Sequence, residues 1–157
     1  MSADYPSMTT AEIRSKFLNF FEERGLKLYP SSSLVPDDPS LLLANAGMNQ
    51  FKEYYQGKKT MKEIGAISCQ KCVRTNDIDC IGEDGRHLSF FEMLGDFSFG
   101  GVSKQQACAW AFELITKEFK LPLDRLYFTV FTEDDETHDV WRSLGVAEDL
   151  SLIHISE

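Results

Sequence analysis

Two extended stretches joined by a long polar arm constrain this chain more than anything else in it. They lie between Ser68 and Gly100, in SCQKCVRTNDIDCIGEDGRHLSFFEMLGDFSFG, and the arm ends in Gly82-Glu83-Asp84-Gly85. Runs of this kind bounded by turn residues predict two strands connected by an arm and not by a tight hairpin turn. Period-two alternation places Cys72 and Arg74 on one face of the first strand, with Lys71 and Val73 on the other. On the second strand His87, Ser89, Phe91 and Met93 share a face, and Leu88, Phe90, Glu92 and Leu94 share the opposite one. An arginine, a histidine and an aromatic ring can thus converge on one surface. That combination suits a phosphate gripped by a planar guanidinium and a flat base held by stacking. A hydrophobic ladder with solvated charges at its ends has the same pattern, and periodicity alone does not separate the two.

Composition narrows the classes. A chain of 157 residues, 43% hydrophobic and 12% aromatic, is about one domain long and can bury a core. Twelve phenylalanines against a charged fraction of 26% argue against disorder. No apolar run approaches the roughly 20 residues that cross a bilayer, and Met1-Ser2-Ala3-Asp4 does not resemble a secretion signal. The expectation is a cytoplasmic protein without a membrane partner. A net charge of -9 weighs against a self-contained nucleic-acid module, though not against an enzyme with nucleotide chemistry.

Four cysteines, unevenly placed, do not make a secreted disulfide scaffold. Cys69 and Cys72 form a CxxC pair with Cys80 nearby, but His87 is the only close imidazole, and a zinc knuckle needs further well-spaced ligands. Nor does the pair sit in the strand-then-helix setting of a redox motif. No metal ligands are assigned; structural cysteines are the expectation, with metal binding and redox work as the alternatives. Cys108 reads as core packing within a helical stretch.

Along the chain, residues 1–9 form a polar arm. Thr9 with Glu12 has capping-box spacing, and Ile13, Phe17, Phe20 and Phe21 recur at helical spacing over 11–24, with Gly25 as the cap. Leu26 to Tyr29 reads as a short strand stopped by Pro30. Leu41-Leu42-Leu43 reads as a buried strand, 45–50 as a polar turn, and 51–55 as a short helical turn. Gly95, Gly100 and Gly101 permit close backbone approach but form no phosphate loop. Ser103 with Gln106 opens a second helix bounded by Pro122, and 126–131 has the composition of a central strand. Glu133 to Glu136 is an acidic cap to a third helix ending before Gly145. Adjacent strands with helices at the margins favour an α+β fold. Residues 151–157 neither finish a helix nor make a polar tail.

Read as words, the sequence resembles the beginning of bacterial alanyl-tRNA synthetase, a class II aminoacyl-tRNA synthetase family. The resemblance is carried by Thr10 to Arg14, Ser31 to Pro36, Asn45 to Lys52, Cys72-Val73-Arg74, Asn76-Asp77-Ile78, Arg86-His87, Phe90 to Gly95 and Phe97 to Gly100. It implies that residues 10–150 are the first part of a class II catalytic domain, an antiparallel sheet flanked by helices, incomplete here. The early helix and the strand at Pro30 correspond to motif 1, and the Arg74 arm with the Phe91 strand to motif 2. It further implies that the parent protein activates alanine with ATP, with Mg2+, and passes the alanyl group to its cognate tRNA. Arg74 would contact the α-phosphate and carboxylate side of the reacting pair and act as the catalytic residue. Arg86 and His87 would lie toward the ATP phosphates, Phe91 would stack on adenine, and Glu92 and Met93 would contribute to the pocket wall. Motif 3, the tRNA-recognition region and the editing region with its zinc are expected downstream, so the chain alone is expected to be inactive. Asp96 stands where asparagine is expected, Gly101-Val102 replaces a bulkier run, and 151–157 departs from the family's words. The alternative is a class II-like nucleotide-binding or regulatory protein without aminoacyl transfer.

Overall fold

The computed structural model describes residues 7–75 and 78–154, with the side chains of 152–154 excepted. It divides into two compact units, residues 17–101 and residues 1–16 with 102–157. Helix α1 (Thr10–Glu22) is opened by the expected capping box. The Glu12 N–H donates to Thr9 Oγ1 (3.3 Å) and the Glu12 carboxylate accepts from the Thr9 N–H (2.7 Å). It is closed at Gly25, whose φ of 88° only glycine adopts without strain. There the Leu26 N–H reaches back to Phe21 O (3.1 Å) and the Gly25 N–H to Glu22 O (3.0 Å), a paired ending that satisfies two orphan carbonyls. Phe17, Phe20 and Phe21 are buried, as the helical spacing predicts.

The sheet of residues 17–101 has the order β1 (Lys27–Leu28), β2 (Gly65–Val73), β3 (Phe90–Ser98). β2 and β3 pair antiparallel over nine residues, from Gly65 opposite Ser98 to Val73 opposite Phe90, and β1 adds a parallel edge to β2. The fold is therefore α+β with a mixed sheet and accompanying helices. Two short helical pieces, Gly47–Phe51 and α2 (Lys52–Tyr55), bring Phe51 into the core, 1% exposed. Its ring meets Tyr29 at 5.3 Å, Phe97 at 4.8 Å and Phe99 at 5.9 Å between centroids. Gly95 is required by this packing, because a Cβ there would lie 2.6 Å from the Phe97 ring.

Two expectations fail here, both to local turn chemistry. Leu41-Leu42-Leu43 forms no strand, and Leu42 is 89% exposed. Asp38 Oδ1 accepts from the Ser40 N–H (2.9 Å) and the Leu41 N–H turns back to Asp38 O (3.1 Å), so the chain bends where a ladder would start. The free edge of β2 is served instead by Tyr29, Ser31 and Ala44. The Tyr29 N–H donates to Ile67 O (2.9 Å), while Lys71 N–H and Val73 N–H donate to Ser31 Oγ (3.0 Å) and Ala44 O (2.9 Å). The second correction concerns His87 and Ser89. They precede β3, which begins at Phe90: Asp84 takes the N–H groups of Arg86 and His87, which keeps His87 out of the ladder, while the Ser89 carbonyl still accepts from the Arg74 N–H (2.9 Å).

In the other unit, α3 (Lys104–Glu113) starts at Ser103, whose Oγ accepts from the Gln106 N–H (3.2 Å), and continues as a π-helical segment over Leu114–Glu118. The expected central strand is shorter, β4 (Phe128–Phe131), and pairs in parallel with β5 (Ser151–His154) in a two-stranded sheet. Phe128 is buried between the rings of Phe112 (5.9 Å) and Trp141 (4.9 Å). Helix α4 (Asp135–Ser143) is capped by Asp134, which accepts from the Thr137 N–H (3.1 Å) and pairs with Lys104 (2.9 Å). The Lys104 contact and the Thr137 bonds bring the Asp134 carboxyl down to about 2 from 3.8. A depressed carboxyl stabilises the fold above its unfolded value and loses that contribution as pH falls through the folded one. Acid titration followed by tryptophan fluorescence should therefore show a loss between about pH 4 and pH 2 that Asp134→Asn reduces. An identical acid limb in the variant would contradict this role. None of the described helices is long and apolar enough to cross a membrane.

Candidate functional site

The pleat of β2 and β3 builds one surface from alternate residues. Cys72 lies opposite Phe91 and Gln70 opposite Met93, so these four share a face, and Arg74 continues it one step beyond the end of β2. The ladder holds Arg74 in place, since its N–H donates to Ser89 O (2.9 Å). Its Nε donates to Asn45 O (3.0 Å), and its guanidinium carbon sits 5.3 Å from the centroid of the Phe91 ring. A guanidinium held through Nε presents its terminal nitrogens as a fork, the geometry that grips a phosphate or carboxylate through two bonds. Phe91 supplies the flat apolar surface beside that fork. The expected meeting of arginine and aromatic ring is present.

The remaining candidates separate. Met93 is on the same face, and its sulfur accepts from the Gly47 N–H (3.1 Å), so it walls the surface against the 45–51 segment. Glu92 faces the other side of the sheet, opposite Lys71 in the ladder. Arg86 and His87 lie in the exposed arm, where His87 Nδ1 meets Asp84 Oδ2 at 2.5 Å. Asn76 and Asp77 fall outside the described residues. Cys69 and Cys72, three apart on one strand, point to opposite faces of β2, and burial pushes the Cys72 thiol up. Among the described residues no group of three or more His, Cys, Asp or Glu side chains is placed to hold a metal.

Gln70 and Asn45 are the residues the sequence did not single out. Gln70 is fully buried, and its Oε1 accepts from the Ser32 N–H (2.8 Å), Ser32 Oγ (3.0 Å) and Gln50 Nε2 (3.1 Å). Its Nε2 donates to Ser32 O (3.2 Å) and Lys71 O (2.8 Å). This one amide fastens the chain before and after the 34–49 excursion to the centre of β2. Asn45 contributes a backbone carbonyl, which no residue pattern announces. A cleft of about 570 Å³ lies apart from Arg74 and Phe91, lined by Asp38, Asn49, Lys52, Glu53 and Lys59 among others. Two of its three lysines are matched, Lys52 to Asp38 (2.5 Å) and Lys59 to Glu53 (2.5 Å), and the cleft holds no arginine; we place the site on the sheet face, where Arg74 meets Phe91.

Residues 12–157 match the family model described as tRNA synthetases class II (A). The chain belongs to that family. Among curated relatives, the alanine–tRNA ligase of Fervidobacterium nodosum is 50% identical over 141 residues, covering 90% of this chain and 16% of the relative. That of Synechocystis is 51% identical over 142 residues, covering 90% of the chain and 16% of the relative. The chloroplastic/mitochondrial alanine–tRNA ligase of Sorghum bicolor is 52% identical over 138 residues, covering 87% and 14%. The chain thus spans about one sixth of the length of the relatives it matches. In this class II chain Asp96 lies opposite Ile67 in the ladder, and although the residue is exposed as a whole, burial of its carboxyl raises the pKa. A carboxyl thus stands where an amide is expected.

Proposed function

We propose that this chain forms the first part of the catalytic domain of a cytoplasmic alanine–tRNA ligase. The observation that carries the reading is the Arg74–Phe91 pair on the β2–β3 face, in a class II chain about half identical to proteins named alanine–tRNA ligase. In this reading an alanine carboxylate oxygen attacks the α-phosphorus of ATP, the bond to the bridging oxygen breaks, and pyrophosphate leaves. The alanyl group then passes to a hydroxyl of the cognate tRNA, releasing AMP. Arg74 grips the α-phosphate and the attacking carboxylate, lining them up and stabilising the charge that builds on the phosphoryl oxygens. Phe91 stacks on adenine, Met93 walls the pocket, and Arg86 and His87 meet the outer phosphates. Glu92, expected in the pocket wall, lies on the far face of the sheet and takes no part in this reading. Mg2+ bound to ATP would supply neutralisation of phosphate charge, while the protein side chains position and orient. The tRNA is engaged by regions the relatives carry beyond the span matched here.

The test is amino-acid-dependent ATP–pyrophosphate exchange by the full-length protein that carries this sequence. Alanine is expected to support exchange above the other amino acids, and the 157-residue chain alone is expected to stay at background. Phe91→Ala should raise the KM for ATP about tenfold, the scale of one lost base–aromatic stack. ATP binding without alanine-dependent exchange would instead favour a regulatory nucleotide-binding protein. An unchanged ATP dependence in folded Phe91→Ala protein would remove the stacking role.

A further inference from the structure

The turn before β3 is organised by one carboxylate. Asp84 Oδ1 accepts from the N–H groups of Arg86 (2.9 Å) and His87 (3.0 Å), and Oδ2 meets His87 Nδ1 at 2.5 Å. Gly85, at a φ of 67°, lets the backbone fold back over that carboxylate. The His87 N–H, the Arg86 N–H and the His87 ring together hold the Asp84 carboxyl down to about 2, so it is an anion at any working pH. An anionic carboxylate only accepts, so Nδ1 carries the proton and Nε2 is the nitrogen left for a ligand. The pair is exposed, 47% for the His87 side chain and 39% for Asp84, where an ion pair adds little to folding stability. What it supplies is orientation. An imidazole on an open arm would otherwise rotate freely and sample both tautomers. Arg86, whose guanidinium has no partner among the described residues, is set by the same carboxylate through its backbone.

We propose that Asp84 is a positioning residue for ATP: it orients His87 through Nδ1 so that Nε2 meets the triphosphate, and fixes Arg86 beside it. This rests on the assignment of Arg86 and His87 to the phosphates made above. Asp84 acts through its neighbours and does not touch the nucleotide, whose phosphates it would repel. A hydrogen bond that Nε2 donates to a phosphate oxygen has an ionised acceptor, and a charge-assisted bond is about twice as strong as a neutral one.

The experiment compares Asp84→Asn, His87→Ala and the double variant in the full-length enzyme, reading KM for ATP and kcat in alanine-dependent exchange. Asp84→Asn keeps an oxygen for the two backbone N–H groups, but its amide nitrogen only donates, so the turn survives and the ring loses the anionic acceptor for Nδ1–H. The expected result is a KM for ATP raised about five- to tenfold with kcat little changed, and no further rise in the double variant over His87→Ala alone. A His87→Ala effect accompanied by parental KM in Asp84→Asn would overturn the proposal while leaving the phosphate assignment standing. Multiplying effects in the double variant would overturn it too, since Asp84 would then act independently of His87. A parental KM in His87→Ala would overturn the phosphate assignment itself, and the proposal with it.

Discussion

Arg74→Ala should lower alanine-dependent ATP–pyrophosphate exchange in the full-length enzyme by about 10²–10³-fold, the scale of one lost donor at a developing oxyanion. The effect should fall on kcat/KM and not on folding. Arg74 is exposed, and its side-chain ties are a bond to the Asn45 carbonyl and an approach to the Phe91 ring. Neither leaves a buried charge when the side chain is removed, and the Asn45 carbonyl can turn to water. Arg74→Lys separates charge from shape. An ammonium retains the positive charge but has neither the planar fork nor the Nε bond that aims it, so it should recover only a minor part of the lost rate. A folded Arg74→Ala enzyme that exchanges pyrophosphate at the parental rate under subsaturating substrates would show that the guanidinium does not face the reacting pair. Full recovery by lysine would show that charge alone matters there.

That Arg74 and Phe91 meet was legible because strand periodicity is a strong signal over nine paired residues. Position 74 has the parity of 72, and 72 stands opposite 91. The ending of α1 was legible for a similar reason, since Gly25 closes a run of apolar residues at helical spacing. Strand patterning misled where a short polar side chain could outbid the ladder for backbone donors. Asp84 did so before β3, moving His87 off the strand, and Asp38 did so before Leu41. Both aspartates stand next to Gly or Pro, so the signal was in the sequence, but its weight against a neighbouring apolar run was not. The Asn45 carbonyl and the Gln70 amide were illegible for a different reason. Their partners lie far away in the chain: Gln70 and Ser32 are 38 residues apart, and Arg74 and Asn45 are 29 apart. A carbonyl belongs to every residue, and a glutamine between two cysteines on a strand gives no hint of burial.

Gln70 is where that hidden information should have its largest effect on stability. Gln70→Leu preserves approximate volume but takes one acceptor from three donors, the Ser32 N–H, the Ser32 hydroxyl and the Gln50 amide. It also takes one donor from the Ser32 and Lys71 carbonyls. Since the site is fully buried, water cannot replace these bonds without a rearrangement. Unsatisfied buried groups cost about 1–3 kcal/mol each, and partial relaxation of Ser32 toward solvent brings the expected total to about 3 kcal/mol. Urea unfolding should show the midpoint falling while the slope stays near its parental value. Gln70→Glu tests whether bonds or volume carry the effect. Ionised, it retains the acceptor but buries a charge against two carbonyls; protonated, it restores a donor. Burial raises the folded carboxyl above its unfolded value, so the variant binds its proton more tightly when folded, and its stability should fall as pH rises through that folded value. Arg74 and Gln70 share a strand face, and Gln70 fastens Ser32 and Gln50 to β2, on either side of the loop that reaches Arg74 through Asn45. A destabilised Gln70→Leu enzyme should therefore also lose exchange activity below its unfolding temperature. A variant with parental stability would show that the five bonds of this amide are replaceable, and that packing of the Phe51–Phe97 cluster alone holds the loop.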